Sequence, residues 1–101
     1  MTSKTIDELT TLMHNFVRSK GWYEADSKRQ QTPRNLSISL ALEAAEILEH
    51  FQWNETFVKE DLAEELADVA LYLLQLASIA EIDLEKAILD KLKVNASRKW
   101  D

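Results

Sequence analysis

The stretch DLAEELADVALYLLQLASIA, residues 61–80, contains neither Gly nor Pro and has the apolar spacing of an α-helix. Its apolar side chains cover most of the circumference of that helix and leave one narrow polar stripe, formed by Glu65, Asp68, Tyr72 and Gln75. We expect this helix to be buried almost all round, because apolar side chains on every side need partners. The two carboxylates of the stripe then face either a thin band of water or a group that favours negative charge.

The composition indicates the fold class. A chain of 101 residues suits one domain with a single core. One Gly and one Pro, together with abundant Leu, Ala, Glu and Lys, favour helices over a sheet with tight turns. We therefore predict a single all-α domain over residues 1–101, with a protomer that resembles a four-helix bundle.

Charge and residue usage exclude several classes of partner. The chain has no Cys, which excludes disulfides and thiolate metal sites and fits the reducing cytoplasm. We expect neither a signal peptide nor a membrane span, because no segment reaches the length of uncharged apolar sequence that a span requires. A formal net charge of −6 disfavours binding of DNA or RNA polymers. A small phosphate ligand remains compatible, since divalent cations bridge carboxylates to phosphates.

Capping signals divide the chain into helices. Thr5 and Glu8 have the spacing of a capping box, Thr32 precedes Pro33 at a second start, and Asp83 can cap a third. Residues 24–32 lack periodicity and are predicted to form a loop. The predicted helices run from Thr5 to a stop at Gly21, from Pro33 to about Trp53, from Asp61 to Ala80, and from Leu84 to about Lys99 with Leu84, Ile88 and Leu92 facing inward.

Two pairs of carboxylates have the same spacing. Glu43 and Glu46 on the second helix, and Glu65 and Asp68 on the third, each lie three residues apart and therefore on one helical face. A short connector favours antiparallel packing of these helices, which would bring the four groups together. Because like charges that close repel, a cation is expected among them, and ligands that are all oxygen suit Mg²⁺ or Mn²⁺.

The fourth helix adds polar groups at helical spacing. Lys91, Asn95 and Arg98 fall on the side of Ile88, where they could meet a polyphosphate beside an acidic metal site. The simpler alternative is that the two cations extend along the edge of the core. The acidic pairs could likewise be solvated faces of a helical interaction module with no enzymatic activity. A di-iron bundle is disfavoured, because His50 lies four residues after Glu46 and not three.

At these residues the chain resembles the MazG-like nucleotide pyrophosphohydrolases, members of the all-α NTP pyrophosphatase superfamily. Their mark is ExxE followed after a gap by ExxD, which here is Glu43-Ala-Ala-Glu46, eighteen residues, then Glu65-Leu-Ala-Asp68. The segments PRNLSISLALEAAEILEHFQW and IDLEKAILDKLKVN look most like the dCTP-pyrophosphatase branch. Leu42 stands where many members carry an additional Glu.

The resemblance implies a role for each matching residue. Glu43, Glu46, Glu65 and Asp68 would bind Mg²⁺. As a hypothesis about the mechanism, we expect Glu46 or Glu49 to act as the base. The triphosphate of a nucleoside triphosphate would be held by Lys91, Asn95 and Arg98. The base and sugar would contact Trp53, Tyr72, His14 and Trp22. The implied reaction converts a (d)NTP, dCTP or another pyrimidine by preference, to (d)NMP and pyrophosphate.

The apolar coverage of the central helix has a further consequence. Three other helices in a chain this short cannot readily cover it, so we predict a homodimer or homotetramer built around this helix. An acidic partner in a toxin–antitoxin or phage context is also compatible with the sequence.

Overall fold

The computed structural model describes residues 3–99, which form helices and connecting loops without any strand. The helices are α1 (Ile6–Ser19), α2 (Pro33–Glu49), α3 (Lys59–Ile79) and α4 (Leu84–Ser97). The all-α prediction is therefore confirmed over these residues. Within them, every helix is too short or too polar to cross a membrane.

Local capping explains where three of the helices begin. The Thr5 hydroxyl accepts from the Glu8 N–H at 3.1 Å and the Glu8 carboxylate accepts from the Thr5 N–H at 3.0 Å, which completes the predicted capping box. Thr32 accepts from the Asn35 N–H at 3.2 Å, and Asp83 accepts from the Lys86 N–H at 3.0 Å. Each bond satisfies an N–H that the helix itself cannot satisfy.

The predicted ends were less accurate than the starts. α2 ends at Glu49, and not near Trp53, because the next residues turn through bonds three residues apart, such as Phe51 N–H to Leu48 C=O at 3.0 Å. The Phe51 ring then packs on Phe57, with ring centroids 5.6 Å apart, which closes the connector between α2 and α3. α3 begins two residues before Asp61, and α4 ends at Ser97.

α1 and α2 pack against α3, and the core between them is small. The buried apolar side chains among the described residues are Met13, Val17, Leu36 and Ala77. α4 packs mainly against α3 and buries none of its residues. The prediction that Ile88 and Leu92 face inward is wrong for the protomer, in which both are exposed, because α4 makes few contacts with the other helices.

α3 is also less covered than its sequence led us to expect. Leu66 is 51% exposed, and Leu71 and Leu73 are likewise exposed. The radius of gyration is 16.1 Å, against about 13 Å for a compact chain of this length. The expectation of a helix buried almost all round is therefore wrong within one protomer, because α1 and α2 cover one side of α3 only.

A polar network joins α1, the following loop and α3. The ring nitrogens of His14 lie 2.6 Å from the Tyr23 hydroxyl and 2.7 Å from the Ser78 hydroxyl. The Gln75 amide, which is 3% exposed, donates to Tyr23 at 3.2 Å and to Gln31 at 2.8 Å. Burial, reinforced by the charge of Arg18, lowers the pKa of His14, so the ring is neutral at pH 7 and can both donate and accept.

Replacing Tyr23 by Phe should destabilise the protein by about 1–2 kcal/mol, because His14 and Gln75 each lose a partner in a partly buried position. Urea denaturation followed by circular dichroism measures this loss. Ser37→Ala is the control, since its exposed hydroxyl bonds only to a carbonyl of its own helix. Equal stability of the Tyr23→Phe variant and the wild type would show that the network does not hold α1 against α3.

Candidate functional site

The packing of α2 against α3 brings three carboxylates together. One oxygen from each of Glu43, Glu46 and Glu65 lies within 4.8 Å of the others, and all three side chains are half-buried. We call these residues the acidic cluster. Three of the four predicted metal ligands thus converge from two helices, as antiparallel packing led us to expect.

The fourth predicted ligand, Asp68, lies at the border of the acidic cluster. Its side chain is exposed and lines the neighbouring cavity. Its charge nevertheless contributes to raising the pKa of Glu43 and of Glu65, so it is close enough to interact with both. Asp68 therefore connects the acidic cluster to the cavity.

The electrostatics of the acidic cluster favour a cation. Burial and then the neighbouring carboxylates raise the pKa of Glu43 and of Glu65. One oxygen of each, Glu43 Oε2 and Glu65 Oε2, is buried without a hydrogen bond from any described residue. Buried acceptors without donors are costly, and a hard divalent cation satisfies several carboxylate oxygens at once. The residues present therefore fit Mg²⁺ or Mn²⁺.

A cavity of about 740 Å³ opens beside the acidic cluster, between α1, α2, α3 and the loop after α1. Its apolar wall comes from α1, α2 and α3, with Leu9, Leu12, Met13, Phe16, Val17, Leu36, Ile38 and Leu71. Its polar groups are Lys28, Arg29, Gln30, Gln31, Asn35, Ser39, Asp68 and Gln75, and Trp22 and Tyr72 add aromatic rings that carry a polar atom. Apolar walls with a few polar groups are typical of small-molecule sites, and the volume suffices for a nucleoside.

Of the four aromatic residues that the sequence suggested for a base pocket, two line the cavity and two lie outside it. Trp22 and Tyr72 line the cavity. His14 lies outside its lining and is bonded to Tyr23 and Ser78, while Trp53 is 85% exposed in the connector after α2. Gln31 was not predicted to line the cavity, and no local sequence signal in the loop could have identified it. Gln75 lay on the polar stripe of α3, but its burial against Gln31 and Tyr23 depends on residues far away in the sequence.

The residues suggested for the triphosphate are all on α4 or just beyond it. Lys91 and Arg98 are exposed, and Asn95 is half-buried. None of the three belongs to the acidic cluster or to the cavity lining of the described protomer. Glu49, one of the two suggested bases, is exposed at the last residue of α2 and lies outside the acidic cluster.

A histidine that the predicted site did not include also lies here. His50 Nε2 is 3.8 Å from Glu65 Oε1, and the two side chains are only 18% and 23% exposed. The signal in the sequence was its position four residues after Glu46, one turn along the same face of α2.

Comparison with known proteins now gives the family. A family model described as MazG-like matches residues 38–101, which include the acidic cluster and Asp68. The chain belongs to the MazG-like family. The resemblance inferred from the two carboxylate motifs is thereby confirmed.

Individual relatives of this MazG-like protein are similar over most of its length. It is 31% identical to dCTP pyrophosphatase 1 of Homo sapiens and 30% identical to that of Rattus norvegicus, in both cases over 93% of this chain. The chain spans 58% of the length of these curated relatives. The crystal structure of a pyrophosphatase from Archaeoglobus fulgidus matches with a TM-score of 0.77 and 34% identity, and covers 94% of this chain and 92% of that one.

The raised pKa values predict how metal-free protein responds to pH. A carboxyl whose folded-state pKa is above its ordinary value of about 4.5 keeps its proton up to a higher pH in the folded state than in the unfolded state. Its contribution to stability is therefore present at acid pH and is lost as the pH rises through the folded pKa. The Gln side chain of Glu65→Gln cannot ionise and therefore avoids this loss of stability. The metal-free variant should then melt at a higher temperature than the wild type at pH 7.

Thermal melting in a chelator at pH 4.5 and at pH 7 measures the effect. The advantage of Glu65→Gln should be larger at pH 7, whereas Glu64→Gln, on an exposed neighbour, should show no such change. A variant that melts below the wild type at pH 7 would contradict the electrostatic description of the acidic cluster.

Proposed function

We propose that this MazG-like protein is a Mg²⁺-dependent nucleoside triphosphate pyrophosphohydrolase, with Mn²⁺ as an alternative ion, which converts (d)NTP to (d)NMP and pyrophosphate. The observation that carries the proposal is the acidic cluster, with two buried oxygens that lack donors, directly beside a cavity large enough for a nucleoside. Asp68 lines the cavity and lies at the border of the acidic cluster, where its charge acts on Glu43 and Glu65. The names of the human, rat and archaeal relatives agree with this reaction.

The roles of the residues follow from this arrangement. Glu43, Glu46, Glu65 and Asp68 would hold the ion, which supplies charge stabilisation to the phosphate oxygens when bound. Glu46 or Glu49 takes a proton from the attacking water as its oxygen bonds to the α-phosphorus. The bond from the α-phosphorus to the bridging oxygen breaks, and pyrophosphate leaves with the electron pair. Lys91, Asn95 and Arg98 are the groups proposed to bind the phosphate chain.

The nucleoside is proposed to occupy the cavity. Trp22 and Tyr72 provide aromatic faces for the base and sugar, and Gln31 and Gln75 provide amide groups deeper in the wall. His14 supports this wall through Tyr23, whereas a contact from the exposed Trp53 would require its connector to move. The relatives named as dCTP pyrophosphatases favour dCTP or another pyrimidine, normal or modified, as the substrate. The biological role would be control of the nucleotide pool in the cytoplasm.

We also propose that the protein is a homodimer or homotetramer. Its accessible surface of 8288 Å² exceeds the roughly 5,900 Å² of a compact monomer of this mass. The exposed apolar side chains on α3 and α4 include Leu66, Leu71, Leu73, Ile88, Leu89 and Leu92. The difference is roughly 2,400 Å² per chain, or roughly 4,800 Å² for two chains, which falls in the range of total area that permanent homodimers bury.

A product assay tests the reaction. The protein should release dNMP and pyrophosphate from one or more members of a dNTP panel with Mg²⁺, and chelator should abolish the release. Asp68→Asn should lower the rate at least about 100-fold while the helical signal stays unchanged, because Asp68 joins the ion site to the cavity. Asp61→Asn, on an exposed residue of the same helix, is the matched control.

Each other outcome of this assay has a definite meaning. Release of dNDP and phosphate would contradict the proposed bond. Absence of turnover with every dNTP would favour the alternative function, a helical interaction module without enzymatic activity.

Light scattering after size-exclusion chromatography tests the assembly. The mass at micromolar concentration should be two or four times the 11.7 kDa of one chain. Leu92→Glu should shift the protein toward monomer, because it places a charge on the apolar side of α4. Lys93→Glu introduces the same residue at the next exposed position and should leave the mass unchanged. A wild-type monomer would refute the proposed assembly.

A further inference from the structure

His50 is placed to extend the acidic cluster. It is the C-cap residue that directly follows α2, and its spacing of seven from Glu43 and four from Glu46 continues the face of the helix that carries them. Its ring faces Glu65 on α3, with Nε2 as the nearer nitrogen. His50 lies outside the group of three carboxylates whose oxygens are within 4.8 Å of one another, so it offers its nitrogen donor beside Glu65.

The distance between His50 and Glu65 is informative. At 3.8 Å, the Nε2 and Oε1 atoms are too far apart for a hydrogen bond. Two donor atoms that share an ion at about 2.1 Å are roughly 3.0 Å apart at a right angle and roughly 4.2 Å apart when opposite each other. The observed separation lies between these limits, so the two atoms are spaced as two ligands of one ion are.

No other interaction accounts for the orientation of the ring. Within residues 3–99 the ring of His50 makes no hydrogen bond, although its side chain is only 18% exposed. The other histidine of the chain, His14, has both ring nitrogens bonded to hydroxyl groups. His50 thus has a free ring nitrogen directed at a carboxylate of the acidic cluster.

We propose that His50 Nε2 is a ligand to an ion held by Glu65, so that the site is a mixed nitrogen and oxygen site. This inference rests on the proposed metal-dependent function and adds to it. Imidazole binds the later first-row metals well and Mg²⁺ poorly, whereas carboxylates suit Mg²⁺. His50 therefore raises the affinity for Mn²⁺, Co²⁺ and Ni²⁺ relative to Mg²⁺.

Metal binding without substrate tests the inference. Isothermal titration of the untagged, metal-free protein with Ni²⁺ and with Mg²⁺ should show that His50→Leu weakens Ni²⁺ binding at least about tenfold. Mg²⁺ binding should change less than about threefold, because Mg²⁺ prefers the oxygen donors that remain. Gln52→Leu, two residues away and exposed, is the matched control and should change neither affinity.

Pulsed electron paramagnetic resonance of the Mn²⁺-loaded protein supplies a second readout. The wild type should show nitrogen coupling from one imidazole, and His50→Leu should abolish it. If Mn²⁺ binds but the wild type shows no such coupling, or if the coupling persists in His50→Leu, the inference is wrong and the proposed function stands. If the wild type binds none of these ions, the proposed metal site itself is wrong.

Discussion

The structure depends on the packing of α2 against α3 with three carboxylates between them. Glu43, Glu46 and Glu65 repel one another, and their partial burial removes the water that would weaken that repulsion. A protein of this size is only marginally stable, so such an arrangement weakens the fold unless protons or a cation neutralise it. Arrangements that destabilise the fold are expected at functional sites. Here the carboxylates that repel one another are also the groups that would bind an ion.

The same packing accounts for the openness of the protomer. The faces of α2 and α3 that meet at the acidic cluster are polar, and the buried side of α3 also contains Gln75. Apolar side chains that a closed bundle would bury in its centre are therefore left on α3 and α4, where Leu66 and Leu92 are exposed. The proposed assembly would bury this surface, so the acidic cluster and the proposed association of chains would have a common structural cause.

The parts of the fold that the sequence predicted well are those with local causes. The starts of α1, α2 and α4 depend on side chains that cap a helix within three residues, and the convergence of the carboxylates depends on helical spacing. The end of α2 was missed because it depends on Phe57, which Phe51 contacts across the connector. The burial of Gln75 was missed for a similar reason, since its partners Tyr23 and Gln31 lie in a loop without periodicity. The exposure of α4 depends on which helices it meets, which no pattern within α4 records.

The acidic cluster and the cavity, which together form the candidate site, are built on different structural elements. The acidic cluster is held by two packed helices, whereas part of the cavity wall is the loop of residues 22–31. That loop is ordered by its own contacts: the Gln30 amide donates to the carbonyls of Ala25 at 3.2 Å and Ser27 at 2.6 Å, and the Arg29 guanidinium lies 5.3 Å from the centre of the Trp22 ring. Ligands on helices keep the precise positions that metal binding needs, while residues on a loop can change without disturbing the core. Under the proposed function, changes in this loop would therefore alter base preference while the acidic cluster stays the same.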